Sequence, residues 1–344
     1  MKAALAINLL FAKWRRPRPY VVHINQNNSC NLRCPYCYGD YWKRTAEDIS
    51  TQEMKSFIDG IVELGAKRIM FCAAEPLMRK DIGELIRYAQ SKKLICGMNT
   101  NGHLVRRRIA DIKTLNSITI SIDGNREHHD SGKGKGSYDI VLDAIKCARE
   151  HRIPVHTSTM IGKNNLGDIG HILGLAKELG FVTEWLLPFY NGSAEWIPDA
   201  GELRAALLKL LEYKKRGYPI SNSSKSLLNA LKWEDYRNRR HINKKEINDT
   251  IVPDCCAGKY GFIMENDGKI YPCGQQIGVY EGMDFRKEGL RKCYEFVKDN
   301  NCRACYSFVA MKDYTMLINH DWSVWWEQFI NALNEWKISK NAIR

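Results

Sequence analysis

From Tyr20 to Pro188, short apolar runs alternate with segments whose apolar residues recur every three or four positions. The short runs predict strands at Tyr20–Ile24, Arg68–Cys72, Leu94–Asn99, Ser117–Ile122, Val155–Ile161 and Thr183–Pro188. The periodic segments predict helices at Ser50–Leu64, Asp81–Lys92, Leu104–Lys113, Tyr138–Glu150 and Leu166–Leu179. Ser50 and Glu53 have the spacing of a capping box, which opens the first of these. Strand and helix in regular alternation imply a parallel sheet with right-handed crossovers. A polar segment follows every strand: Cys30–Asp40, Ala73–Pro76, Thr100–Gly102, Asp123–Gly124, Gly162–Asn165 and Phe189–Gly192. In a barrel these segments meet on one rim, where barrel active sites sit. Six strands cannot close an eight-stranded barrel, so residues 20–191 are expected to form an α/β fold, a partial (β/α)6 TIM-like barrel with a crescent section.

After Gly192 the pattern changes. Residues 192–250 read as a helical linker, with an amphipathic helix at Glu202–Tyr213 and a basic, solvated stretch at Lys232–Asn248. Residues 251–310 carry a hairpin signal, Asn266-Asp267-Gly268 between alternating runs, and predict a small C-terminal β-hairpin and helical metal domain. In residues 311–344, Trp322, Trp325, Phe329, Leu333 and Trp336 fall on one helical stripe. Residues 1–19 form an amphipathic extension. Its apolar run, Ala3–Ala12, lacks a cleavage site and is shorter than the roughly 20 residues that span a bilayer. Both terminal stripes are expected to dock on the protein, the alternative being a membrane interface.

The chain has 344 residues and a formal charge of +13, from 52 basic against 39 acidic side chains. That balance admits anionic partners without choosing among them. Twelve cysteines in a long chain without a signal peptide point to a reducing, cytoplasmic compartment, with thiols used as metal ligands or core residues. Cys72, Cys96 and Cys147 lie in predicted strands or a helix and are expected in the core.

The stretch "CNLRCPYCYGD" holds Cys30, Cys34 and Cys37 and has no nearby fourth cysteine. Structural zinc and ordinary iron-sulfur sites take four protein ligands. Three thiolates can instead hold a 4Fe-4S cluster whose fourth iron keeps an open position. Together with Tyr36, the three cysteines match CxxxCxΦC, where Φ is aromatic, and the chain resembles the radical S-adenosylmethionine enzymes. The resemblance implies that the amino and carboxylate groups of S-adenosylmethionine chelate the open iron. One electron then cleaves the sulfonium to methionine and a 5'-deoxyadenosyl radical, which abstracts a substrate hydrogen atom. It further implies that Glu75 receives the cofactor's ammonium, although Ala73 and Ala74 stand where the family usually has two glycines. Thr100, Ser121 and Asp123 match contacts to the methionine and ribose.

The later cysteines resemble the auxiliary-cluster domain of the SPASM and twitch subgroups, without the further cysteines of the full SPASM pattern. A second, auxiliary iron-sulfur cluster on Cys256, Cys273, Cys302 and Cys305 is implied, with Cys255 able to replace its neighbour and Cys293 in reserve. Structural zinc is the alternative there. By analogy with the subgroup, the substrate is a peptide or protein side chain, and the electron comes from a donor such as flavodoxin or ferredoxin. Two other readings stand beside it: a lipid, isoprenoid or other small molecule taken at a membrane surface through a peripheral contact, and a zinc-stabilised nucleic-acid-binding protein. Nucleic acid is not expected, because no binding signature accompanies the charge. Tyr190 and Glu195 follow the last strand, either as substrate contacts or as ordinary loop polarity; no hydrogen donor or acceptor is assigned.

Overall fold

Strands β1 (Val21–Asn25), β2 (Arg68–Cys72), β3 (Ile95–Thr100), β4 (Ser117–Ser121), β5 (Val155–Met160) and β6 (Val182–Leu186) lie side by side in chain order. All five pairings are parallel, as the alternation requires. The structure is a computed structural model and describes residues 9–37, 39, 41–44, 47–188, 194–233, 235–236, 241–243, 255–306 and 309–341. Tyr190, the rest of the Phe189–Gly192 segment, Tyr38 and Asp40 lie outside the described residues.

The helix Thr51–Glu63 begins as its sequence dictates. The Ser50 hydroxyl accepts from the Glu53 amide at 3.2 Å, and the Glu53 carboxylate accepts from the Ser50 amide at 2.9 Å. Its buried face, Met54, Phe57, Ile58 and Ile61, packs with Ile69 and Phe71 of β2 in the main core. Burial of each such side chain contributes about 1.5–3 kcal/mol. Because strand side chains alternate, the opposite face of the sheet is set by the same register. That face carries His23, Arg68, Ser117, Thr119, His156, Ser158 and Glu184, and Asn99 on it is exposed. The inner face of the crescent therefore mixes these polar groups with apolar ones such as Val21, Met70, Ile95 and Val182. Cys72 lies half-buried on this inner face, whereas Cys96 and Cys147 are buried as expected; period-2 alternation, not apolarity, decided its side.

Two departures affect the site. The predicted helix Leu104–Lys113 is reduced to Ile109–Ile112. A helix that no apolar stripe announced, Arg126–Lys133, follows β4; Asn125 caps it by accepting from the His128 amide at 3.0 Å.

The expected hairpin forms from β8 (Gly261–Met264) and β9 (Lys269–Tyr271), with Gly268 at φ +82° in the turn. It is not a separate sheet. β8 runs parallel to β1, Val22 opposite Phe262, and β10 (Met283–Asp284) adds to β9, giving a nine-stranded sheet. β11 (Cys302–Cys305) pairs antiparallel with β7 (His241–Asn243). No described helix is long and apolar enough to cross a membrane.

The final helix, Trp322–Asn341, corrects the expectation of a docked apolar stripe. Trp325 does pack, its indole N–H donating to the Leu317 carbonyl at 2.9 Å, but Trp322, Trp326, Phe329 and Leu333 are exposed. The Trp336 side chain lies outside the described residues. The inward side is polar: Gln328 donates to Asp313 at 3.0 Å, and Asp313 also accepts from the Ser223 amide at 3.2 Å. Burial raises the Asp313 carboxyl to about 7 against the opposing Ser223 bonds and the Lys214 charge. Between about pH 4, where the unfolded carboxyl ionises, and pH 7, the folded state retains a proton that the unfolded chain has lost, so stability falls as pH rises. Thermal melts of Asp313→Asn are expected to show a flatter dependence across that window. A slope equal to that of the wild type would contradict the assignment.

Candidate functional site

The cysteine loop leaves β1 at the strand's C-terminal end. Cys30, Cys34 and Cys37 are all half-buried and free, and the Cys37 amide donates to the Cys34 carbonyl at 3.1 Å, which closes a turn between them. Burial raises the Cys30 thiol; Glu75, Cys34 and Cys37 add to that rise against a hydrogen bond from the Leu32 amide. Three half-buried thiols in one loop suit a cationic metal cluster, and their number suits a cubane with one iron left open. Asn101, which sequence reasoning passed over beside Thr100, donates to Asn31 at 2.8 Å and points its amide at the Cys30 sulfur, 4.0 Å away.

Glu75 lies at the centre of a hydrogen-bond cluster. Its carboxylate is fully buried and already holds four donor contacts: the Leu77 amide at 3.0 Å, the Asn101 amide at 2.8 Å, and the Thr100 hydroxyl at 2.8 and 3.0 Å. Asn27 donates to its backbone carbonyl at 3.1 Å. Glu75 and Thr100 thereby tie together the loops after β1, β2 and β3. Glu75 caps the 3-10 turn Pro76–Met78 and is fully buried, so its oxygens take their bonds from neighbouring protein groups. Just before it, Ala73 and Ala74 sit at φ 62° and 45°, in the left-handed region where glycine is at ease. Each stores about 1–2 kcal/mol of strain.

Beyond β4 the rim is charged. Asp123 accepts from the Tyr36 hydroxyl at 2.6 Å and the Met160 amide at 3.1 Å, and pairs with Lys133 at 3.2 Å. Burial alone would raise the Asp123 carboxyl, yet Lys133, His129, Tyr36 and Met160 together hold it below its usual value. Lys133 is buried too; Asp123 and the Cys34 and Cys30 thiols outweigh burial and keep its ammonium charged. Gly132 permits this docking, because a Cβ there would meet the Tyr36 ring at 2.9 Å. Ser121 is half-buried at the end of β4 on the inner face. Lys133 lay hidden from sequence reasoning because "REHHDSGK" has no periodicity; the Asn125 cap was its one available signal.

A narrow cleft adjoins these groups, walled by Tyr36, Asp123, His128, Met160, Asn165 and Trp196. Trp196 lies 5.4 Å from the Tyr36 ring, and His128 is held by Asp168 at 2.6 Å. Glu195 is exposed beside it.

The second thiol group gathers from three segments. The Cys255 amide donates to the Arg303 carbonyl at 2.6 Å, bringing that residue to β11, which carries Cys302 and Cys305. Cys273 follows β9; burial, then Cys305 and Cys302, raise its thiol. Burial, then Cys256, Cys305 and Cys273, raise Cys255. Cys256 instead sits in an apolar cluster with Leu9, Tyr20 and Met316, its thiol raised to about 11 by burial and bonded to Thr315. Cys255 thus lies within the field of Cys305 and Cys273, while no such effect reaches Cys256. Cys293 is fully buried in the main core, away from them.

A crescent barrel with a three-thiol loop and a buried ion pair on its rim defines an α/β-barrel enzyme built around an iron-sulfur site. The family model described as the Radical SAM superfamily matches residues 24–176. The AdoMet-dependent heme synthase of Methanosarcina barkeri is 30% identical over 286 residues, which cover 77% of this chain and 79% of that one. The Fe-coproporphyrin III synthase of the same organism is 37% identical over 175 residues, 49% of this chain and only 43% of that protein's length. Among solved structures, Streptococcus suis SuiB bound to its precursor peptide SuiA matches with a TM-score of 0.65 at 15% identity, covering 87% of this chain and 69% of that one. The chain belongs to the radical SAM superfamily. It is an enzyme that uses a 4Fe-4S cluster and S-adenosylmethionine.

Proposed function

We propose that Cys30, Cys34 and Cys37 hold the catalytic cluster and that S-adenosylmethionine reaches from it, past Lys133 and Asp123, into the Trp196 cleft. When bound and reduced by one electron, the cofactor supplies a carbon radical able to take a hydrogen atom from an unactivated C–H bond. The chain's own residues position it. Lys133 is the buried cation available to a carboxylate, Asp123 and Tyr36 hold that cation in place, and Trp196 with Met160 gives the base an apolar wall. Ser121 completes the rim beside them. The observation that carries this reading is the meeting of the thiol loop, the Glu75 clasp and the Asp123–Lys133 pair on one edge of the crescent.

The substrate is a peptide or protein side chain, entering along the inner face of the crescent past Asn99. SuiB, of the same fold, holds a precursor peptide, and this supports the reading. The electron comes from a flavodoxin or ferredoxin, and the terminal aromatic segments give a peripheral membrane contact. Residues 20–191 are the catalytic barrel, and residues 251–310 carry an auxiliary cluster on Cys255, Cys273, Cys302 and Cys305.

Deuterium transfer tests the substrate class. A deuterium-labelled peptide pool incubated anaerobically with the reduced enzyme is expected to pass label into 5'-deoxyadenosine. Transfer from a labelled iron porphyrin and none from peptides would replace the peptide reading. For the auxiliary site, Cys255→Ser is expected to lower bound iron from about eight to about four per chain, while Cys256→Ser keeps both clusters. The reverse result would restore the ligand set expected from the sequence.

A further inference from the structure

We propose that the two ends of the chain form one aromatic and basic surface that seats on an anionic lipid bilayer. This deepens the membrane contact put forward above and does not depend on the reaction. A helix on a water-facing surface normally turns its apolar stripe inward; over Trp322–Leu333 the last helix is inverted. Trp322, Trp326 and Phe329 are 67%, 64% and 53% exposed. The polar residues between them face the protein: Gln328 donates to the Ser221 carbonyl at 3.2 Å, and Glu327 accepts from the Ser224 amide at 2.8 Å. Asp321, which precedes the helix, is paired with Lys225. Both of these carboxylates are therefore engaged, and the outward stripe carries aromatic and aliphatic groups.

The N-terminal segment extends this stripe. Trp14, 68% exposed, lies 4.4 Å from the His320 ring, and His320 lies 6.1 Å from Trp322. His320 is held there by the Leu10 carbonyl at 2.8 Å. Phe11 packs 6.2 Å from Trp14, and the Arg15 guanidinium sits 5.6 Å from the Phe11 ring, with Arg16 exposed next to it. A continuous row of rings, some 310 residues apart in sequence, thus ends in guanidinium groups.

Contiguous exposed apolar surface marks a site that something covers. The arginines decide what. A second copy of this chain seated symmetrically on the same patch would bring the two Arg15–Arg16 pairs toward each other, at a Coulombic cost. Anionic headgroups instead neutralise them while the indoles sit at headgroup depth. A net charge of +13 favours the same partner.

Flotation with vesicles tests this on the full-length, cluster-loaded enzyme. Binding to phosphatidylglycerol-containing vesicles is expected to exceed binding to pure phosphatidylcholine by about tenfold or more, since each surface arginine is worth about 1 kcal/mol near an anionic leaflet. Trp322→Ser with Trp326→Ser should lower binding to both, and Arg15→Ser with Arg16→Ser should remove the preference for phosphatidylglycerol. Circular dichroism and 5'-deoxyadenosine formation in solution should stay unchanged in both variants, so failure here is separable from failure of the catalytic assignment. Wild-type protein that ignores anionic vesicles overturns the proposal. So does a dimer, seen by sedimentation velocity, that the tryptophan substitutions dissociate.

Discussion

Cys34→Ala is expected to reduce formation of 5'-deoxyadenosine from S-adenosylmethionine by at least about a thousandfold, equivalent to roughly 4 kcal/mol of lost transition-state stabilisation. Burial, with the neighbouring thiols adding to it, raises Cys30 and Cys34, and removing Cys34 leaves a cubane with two protein ligands. Bound iron should fall toward the content of the auxiliary cluster alone, because the second thiol group is built by different segments, Cys255 with β11 and the residue after β9. Anaerobic reconstitution followed by iron analysis and chromatography of the nucleoside measures both quantities. A variant keeping a tenth of the wild-type rate would remove the loop from its assigned place.

Lys133→Met is the second large effect. Lys133 is buried against Asp123 at 3.2 Å and lies within the field of Cys34 and Cys30. Removing one partner of a buried pair typically costs about 3–5 kcal/mol, because the other charge is left uncompensated. Asp123 would then take up a proton or turn toward Tyr36, and the site would lose its buried cation. Binding and cleavage of S-adenosylmethionine are each expected to fall about a hundredfold. Lys133→Arg, which keeps the charge, should recover part of the loss, and an inert-filler role for Lys133 would give no such recovery. Equilibrium binding of the nucleotide, measured beside the thermal midpoint, separates a lost contact from a loosened fold. A methionine variant within threefold of wild type in both assays would show that Lys133 has no part in holding the cofactor.

Much of this was legible before any coordinates. Alternating apolar runs and periodic helices specify six parallel strands because the signals are local: burial on one face, crossover length and caps such as Ser50 with Glu53. The cysteine loop was legible for the same reason, since Cys30, Cys34 and Cys37 must serve one site from a single turn. Glu75 was legible as a rim residue, but its hydrogen-bond partners were not. Its role depends on the Thr100 hydroxyl and the Asn101 amide, which reach it from another strand. Lys133 was not legible because a short polar helix has no period to detect, and sequence alone leaves Cys255 and Cys256 equivalent because adjacent cysteines differ only in the direction each faces.

The linear chain by itself determined the parallel crescent, the trio of thiols and the excess of positive charge, all properties carried by neighbours in sequence. Tertiary structure alone decided that β8 continues the barrel sheet beside β1, that Lys133 meets Asp123, and that the last helix turns its rings outward. Each of those depends on contacts between segments far apart in the chain. Which partner a strand edge, a buried cation or an apolar stripe will find is set by the packing of the whole molecule, and no local pattern encodes it.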